Sequence, residues 1–251
     1  MLSKIRFLNN NSLKIIAAIA MLIDHVGMIL FSSVLIFRII GRIAFPIFAF
    51  MIAEGARHTK NKLKYILTMG ILGVVYQIPM MIFFKDFQWN VLVTFTLSLG
   101  LIYLLDWFKI SFFDKNCKII IKVVSFVLFV GATLSLYYFA GRIHFHYSYG
   151  FYGCMVAVFA SAPSLNRTDA PEWLKKFDNI PVRLLCMSIP LMLYSLASSP
   201  YQWFCMLALP IILLYSGKKG KLNLKYFFYI FYPAHLVVLY GIAIIIISLV
   251  H

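Results

Sequence analysis

Residues 226–249 read YFFYIFYPAHLVVLYGIAIIIISL, a stretch of 24 residues without an Asp, Glu, Lys or Arg. At about 1.5 Å per residue, a helix of this length is about 36 Å long, which is enough to cross a hydrocarbon core of about 30 Å. Apolar stretches of similar character recur along the chain. We predict spans, with soft limits, at residues 13–33, 38–57, 63–84, 90–108, 118–140, 149–163, 181–198, 201–216 and 226–249. The sequence therefore predicts an all-α, polytopic transmembrane bundle of about nine helices.

The composition agrees with a membrane protein. Of the 251 residues, 63% are hydrophobic and 12% are charged, whereas soluble domains are about half apolar and a quarter charged. No polar stretch is long enough for a second module, so we expect one integral membrane domain over residues 1–251. The four cysteines lack metal-ligand spacing, and no metal site is expected.

The net charge of +15 raises the question of a nucleic-acid partner. The basic residues lie in short clusters between the apolar spans, which is typical of cytoplasmic loops. With nine spans and a cytoplasmic N-terminus, the inner segments hold nineteen lysines and arginines and the outer segments hold four, namely Arg38, Arg42, Lys85 and Arg142. We therefore expect the lipid bilayer as partner and no nucleic acid.

Two histidines lie inside predicted spans, where polar groups usually face a bundle interior or a wet cavity. His25 lies eleven residues after Lys14, which is about 16 Å along a helix. His235 lies nine residues after Tyr226 in the last span. Because a neutral histidine is inexpensive to bury and can exchange protons, we expect proton chemistry here. An alternative for His235 is that it caps backbone groups freed by Pro233.

The charged residues nearby are open to two interpretations. Asp24 either forms a structural ion pair with Arg42 or takes part in a site. Adjacent residues on a helix point about 100° apart, so Asp24 is not expected to orient His25. Arg38 precedes Arg42 by one turn on the same face.

The inner end of the second span carries a further acidic group, Glu54, which we expect to pair with Lys14 or Arg57. A basic loop follows, with Arg57, Lys60, Lys62 and Lys64. This loop is typical of a cytoplasmic segment, but it could also bind the phosphates of a nucleotide-containing donor.

Several blocks of sequence together resemble a known family. They are Leu13–Ala17, Met21–Gly27, Ile40–Phe50, Ala53–Thr59, Tyr76–Pro79, Tyr149–Gly153 and Phe228–Leu236. As a set, and over nearly the whole chain, they are similar to the TraX family of membrane acetyltransferases. Two positions depart from that pattern, since Ser148 and Ser216 stand where an aspartate and an asparagine are expected.

The resemblance implies acyl transfer, with acetyl-CoA or another acyl-CoA as co-substrate and no tightly bound cofactor. The founding activity of the family is N-terminal acetylation of pilin, which implies an amine or hydroxyl acceptor on an envelope component, peptide or protein at the bacterial cytoplasmic membrane. The catalytic candidates are His25 as general base, His235 as second proton carrier or oxyanion donor, and Asp24. The substrate-binding candidates are Arg42, Arg38, Glu54, Lys14, Arg57 and Tyr149.

Two other functions remain open. A small proton-coupled transporter or flippase could use Asp24, His25 and His235 as a relay. Such a protein would move a solute without acyl-CoA turnover, and the chain shows no internal repeat of the kind common in transporters. A non-enzymatic assembly factor would instead tolerate substitution of both histidines.

Overall fold

The computed structural model describes residues 6–84, 88–142, 147–165, 170–221 and 224–250. Within these ranges the chain is helical, and β-pairing is limited to isolated bridges. The helices are α1 (Asn10–Ile29), α2 (Leu35–Gly41), α3 (Ala44–His58), α4 (Lys62–Phe84), α5 (Val91–Phe113), α6 (Ile119–Arg142), α7 (Gly150–Ser161), α8 (Glu172–Lys175), α9 (Ile180–Leu196), a 3-10 helix (Pro200–Leu207), α10 (Ala208–Leu213) and α11 (Lys225–Val250). The predicted all-α class is confirmed.

Six helical segments of the described chain are long and apolar enough to cross a bilayer. They are Asn10–Ile29, Leu35–His58, Lys62–Ile82, Val91–Phe113, Ile119–Ala140 and Ile230–Leu249. The other three predicted spans coincide with shorter apolar helices at Gly150–Ser161, Ile180–Leu196 and Pro200–Leu213. The protein is thus a multi-pass membrane protein, while the count of nine and the cytoplasmic N-terminus stay predictions.

Large apolar side chains cover the outer faces of the long helices. On α6, Ile119 and Ile120 are 75% and 66% exposed, and on α11 Val237 is 71% exposed. Apolar patches of this extent are unusual on soluble proteins and are expected on a surface that faces lipid. By contrast, His235, Leu236 and Leu239 form a buried stripe on α11.

The chain divides into two compact units. The first comprises residues 1–51 and 195–251, and the second comprises residues 52–194, so the boundaries fall within α3 and α9. The first unit contains both histidines that the sequence analysis singled out. The prediction of a single domain over the whole chain is not tested by this division.

The second predicted span is interrupted near its start. Helix α2 ends at Gly41, and α3 begins at Ala44 after a turn at Arg42 and Ile43. Pro46 explains the interruption, because in a continuous helix its ring would clash with the carbonyl four residues earlier, that of Arg42. In the first turn of α3 the proline is tolerated. The break places Arg42 in a turn instead of inside a helix.

In the first unit, α1 and α11 begin at the same end. The segment before α1 is hydrogen-bonded to the segment before α11: Leu8 N–H donates to the Leu214 carbonyl (3.0 Å), Ser216 N–H to the Leu8 carbonyl (2.8 Å) and Asn10 N–H to the Lys218 carbonyl (3.0 Å). Asn9 caps α1 by accepting from Ser12 N–H at 3.0 Å.

In the second unit, buried polar contacts join neighbouring helices. Asn90, 6% exposed, caps α5 by accepting from Leu92 N–H. Its side-chain amide donates to the Gly73 carbonyl (2.7 Å) and to Gln77 Oε1 (3.1 Å) of α4. Ser98 of α5 donates to the Cys154 carbonyl of α7 at 3.1 Å. These bonds satisfy polar groups that the bilayer could not solvate.

Candidate functional site

The imidazoles of His25 and His235 are in direct contact. His25 Nδ1 lies 2.8 Å from His235 Nε2, and the ring centroids are 5.0 Å apart. The two residues are 210 positions apart in sequence and come from α1 and α11, which pack against each other. The first and last predicted spans thus bring their two histidine side chains together.

Local sequence explains why α1 and its neighbours approach so closely. A side chain at Gly27 would overlap Phe37 of α2, and a side chain at Gly41 would overlap Asp24 of α1. The absence of a side chain at both positions therefore lets α1 and α2 pack closely around residues 24–27.

On α11, His235 is 6% exposed and lies on the buried stripe. Its ring is stacked on Phe231, one turn earlier, at 5.0 Å.

The hydrogen bonds of the pair determine its tautomers. His235 Nδ1 lies 2.7 Å from the Phe231 carbonyl, which can only accept, so Nδ1 carries the proton. With both rings neutral, His235 Nε2 is then the acceptor and His25 Nδ1 the donor of the bond between them. The remaining nitrogen, His25 Nε2, keeps its lone pair, which is the form that a general base needs.

The alternative interpretation of His235 as a cap for backbone freed by Pro233 is wrong. A proline deprives the carbonyl four residues earlier of its donor, which here is the carbonyl of residue 229. The His235 ring donates instead to the Phe231 carbonyl. The ring is therefore oriented by its own helix toward His25.

Asp24 forms its ion pair with Arg38. The sequence had suggested Arg42 as the partner in one of the two interpretations of Asp24. Arg38 Nη1 lies 3.2 Å from Asp24 Oδ1 and 3.5 Å from the Asp24 carbonyl oxygen. The break after α2 explains why Arg38 is the partner. Arg38 lies on α2, which packs against α1, whereas Arg42 lies in the turn that follows α2. Asp24 thus ties α1 to α2 one residue before His25.

Arg42 differs from Arg38 in its surroundings. Its Nε is buried and has no hydrogen-bond partner, and its positive charge lies near enough to Asp24 to act on it electrostatically. Asp24 is already bridged by Arg38. A half-buried guanidinium with a buried, unsatisfied donor could bind an anionic group.

In the second unit, the partner of Glu54 is Arg183. Arg183 Nη1 lies 2.7 Å from Glu54 Oε2, and Arg183 Nε donates to the Ala160 carbonyl at 2.8 Å. His58 Nε2 lies 3.1 Å from the other carboxylate oxygen. Arg183 and Glu54 are 2% and 4% exposed. Glu54 thus forms its buried ion pair with Arg183 and ties α3 to α9, and the charge of Arg57 also acts on it.

Arg57 is engaged with Asp178, in the segment before α9. The two side chains form a bidentate pair, with Nη1–Oδ1 and Nη2–Oδ2 distances of 3.1 and 3.0 Å. Asp178 also accepts from Leu165 N–H. Both terminal Nη groups of this guanidinium are therefore taken by a carboxylate and are not open to a phosphate, while its Nε is buried without a hydrogen-bond partner. Lys62, in the same predicted phosphate loop, lies over the Tyr103 ring at 4.9 Å.

Tyr149 belongs to the second unit and has an unusual backbone. Its φ of 65° lies in the left-handed region, where a bulky side chain is uncommon and strained. Its ring packs on Tyr194, with centroids 5.5 Å apart. Tyr149 is the N-cap residue that precedes α7. A binding role for Tyr149 stays a prediction.

Sequence reasoning missed the residues that organise these clusters. Arg183 and Asp178 lie outside the motifs described above, and neither position carries a pattern that predicts its partner. The Phe231 carbonyl could not be singled out, because any residue supplies one. A signal for it existed in the spacing, since residues 231 and 235 are one helical turn apart.

Comparisons with known proteins agree with the resemblance carried by the motifs. The family model described as "TraX protein" matches residues 9–243. The chain is 38% identical over 114 residues to the uncharacterized protein RP591 of Rickettsia prowazekii, covering 45% of this chain and 44% of that protein. It is 25% identical over 240 residues to a probable fimbrial assembly protein FimC, serogroup H1, of Dichelobacter nodosus, covering 90% and 92% of the two chains. No solved structure shows a significant match.

Proposed function

The chain belongs to the TraX family, and on this premise we propose that it is a membrane-embedded acyltransferase of the bacterial cytoplasmic membrane. It takes an acyl group, most simply acetyl, from acyl-CoA. The acceptor is an amine or hydroxyl of an envelope component, peptide or protein. The similarity to a probable fimbrial assembly protein directs the search for the acceptor to pilus-related proteins first.

The observation that carries the proposal is the relay from the Phe231 carbonyl through His235 to His25. An acyl-transfer base needs an unprotonated nitrogen, a fixed ring orientation and a partner that stabilises the charge it acquires. His25 Nε2 has the lone pair, and the 2.8 Å bond to His235 supplies the orientation. The Asp24–Arg38 pair fixes α1 beside this position.

In the reaction, His25 Nε2 removes the proton from the acceptor amine or hydroxyl as that atom attacks the thioester carbonyl. A bond forms between the acceptor atom and the carbonyl carbon. The tetrahedral intermediate collapses, the carbon–sulfur bond breaks, and the CoA thiolate takes the proton from His25. The products are the acylated acceptor and free CoA, with His25 returned to its neutral form.

His235 acts in this scheme as a positioning residue. Both of its ring nitrogens are engaged, one with His25 and one with the Phe231 carbonyl, so it is not available to donate to the oxyanion. When His25 is protonated, the lone pair of His235 Nε2 accepts its Nδ1 proton and stabilises the imidazolium. Arg42, with its unsatisfied buried Nε, is assigned to an anionic group of the acceptor.

The test uses purified protein in lipid nanodiscs, radiolabelled acetyl-CoA and a membrane and envelope extract. Wild-type protein should transfer label to a discrete acceptor. His25→Ala should lower that transfer by about 100-fold or more while the protein elutes and unfolds as wild type does. Transfer at the wild-type rate by His25→Ala would refute the assignment, and solute uptake without acyl-CoA turnover would favour a transporter.

A further inference from the structure

A lysine-rich loop lies against the start of α1 in the first unit. It runs from Ser216 to Lys221 with the sequence Ser-Gly-Lys-Lys-Gly-Lys, and we call it the lysine loop. Gly217 has a φ of 76°, which a glycine adopts without strain. Hydrogen bonds from Ser216 N–H and Asn10 N–H join the loop to the segment before α1, and Ser216 Oγ donates to the Leu8 carbonyl at 2.9 Å.

The close packing of the loop fixes where its charges lie. A side chain at Gly220 would overlap Asn11 in the first turn of α1, so the loop backbone lies directly against that helix. Lys218, Lys219 and Lys221 are exposed. The backbone that carries these three lysines therefore lies beside the first turn of α1, at the positive end of its dipole.

The charge of this region is not balanced within its unit. Residues 1–51 and 195–251 contain a single acidic side chain, Asp24, and that carboxylate is bridged by Arg38. The lysine loop thus carries a basic charge that calls for an external anion.

We propose that the lysine loop binds the phosphate groups of the acyl-CoA donor; this inference rests on the proposed function. It differs from the expectation that the basic residues between positions 57 and 64 bind the phosphates, because both Nη groups of Arg57 are bonded to Asp178. The lysine loop instead joins the starts of the two helices that carry His25 and His235.

The length of the donor fits this placement. From the inner phosphorus of the CoA pyrophosphate to its sulfur there are about 13 bonds, and an extended chain that gains about 1.2 Å per bond spans about 16 Å. Lys14 lies in the first turns of α1 next to the loop, with its charge close enough to act on Lys219. Lys14 precedes His25 by eleven residues, or about 16 Å along the helix. Phosphates bound at this level would place the thioester at the height of His25.

The headgroup phosphate of an anionic lipid offers the same chemistry, so the test must separate the two sources. Full-length protein is reconstituted in nanodiscs of phosphatidylcholine alone, and equilibrium binding of CoA and of dephospho-CoA is measured. The variant carries Lys218→Gln, Lys219→Gln and Lys221→Gln. A matched control removes the same charge from exposed lysines of other loops with Lys115→Gln, Lys118→Gln and Lys176→Gln.

We expect the Kd of CoA to rise at least tenfold in the lysine-loop variant, because a charge-assisted hydrogen bond contributes about 1.5–3 kcal/mol and tenfold is about 1.4 kcal/mol. The control variant should change it less than twofold. Raising the salt concentration should weaken CoA binding by wild type more than by the lysine-loop variant. His25→Ala should bind CoA as wild type does.

Two results would overturn the inference. One is an unchanged Kd of CoA in the lysine-loop variant. The other is wild-type protein that binds no CoA in phosphatidylcholine but retains phosphatidylglycerol through these lysines in native mass spectrometry. Acyl transfer with a KM for acyl-CoA insensitive to the three substitutions would remove this site and leave the enzyme standing. CoA binding at the loop without any acyl transfer would leave the site and remove the enzyme.

Discussion

Replacing Arg183 by methionine should strongly destabilise the second unit. The arginine is 2% exposed and its partner Glu54 is 4% exposed, and they are joined at 2.7 Å. Methionine keeps much of the apolar stem but leaves the Glu54 carboxylate buried without this cation. Breaking a buried pair in this way costs about 3–5 kcal/mol. The lost bond to the Ala160 carbonyl acts in the same direction, so the upper half of that range is expected.

The assay is unfolding of the purified protein in mixed micelles, followed by circular dichroism. Glu172→Gln is the matched control, because it breaks a pair with Lys175 whose side chains are 37% and 87% exposed. Exposed pairs contribute at most about 1 kcal/mol. Combining Arg183→Met with Glu54→Leu should recover most of the loss, since the double variant buries no charge. A loss below about 1 kcal/mol in Arg183→Met, equal to the control, would refute the reasoning.

Three further substitutions test local features of the fold. Gly41→Ala should lower both thermal stability and acetyl transfer, because the added methyl group would overlap the Asp24 side chain; melting and activity assays measure both effects. Asn90→Ala removes the α5 cap and the buried bond to Gln77 and should cost about 2–3 kcal/mol in unfolding experiments. Tyr149→Gly should relieve about 1 kcal/mol of backbone strain at φ 65°, so its melting temperature should fall less than that of Tyr149→Ala.

Much of the helix pattern could be predicted because hydropathy reports the bilayer directly. The last span was expected at 226–249 and is observed at Lys225–Val250. The first was expected at 13–33 and is observed at Asn10–Ile29, where the N-cap of Asn9 sets the start. The interruption of the second span could have been anticipated from Pro46, whose constraint acts on the turn before it.

The partners of the charged residues were harder to predict, because hydropathy carries no information on which helices become neighbours. Glu54 and Arg183 are 129 positions apart, and several cations were equally plausible from sequence. Arg38 and Arg42 are four residues apart, and only the break after α2 decides which one meets Asp24. His25 and His235 could be singled out from the rarity of such groups inside spans, an argument that does not depend on pairing.

The central claim is that His25 is the base and that His235 orients it. The most direct measurement is the rate of acetyl transfer by wild type, His25→Ala, His235→Gln and His235→Ala in the same nanodiscs. Glutamine can still accept from His25 Nδ1, so His235→Gln should keep more activity than His235→Ala, while His25→Ala should keep almost none. Equal, near-wild-type rates in all three variants would contradict the account.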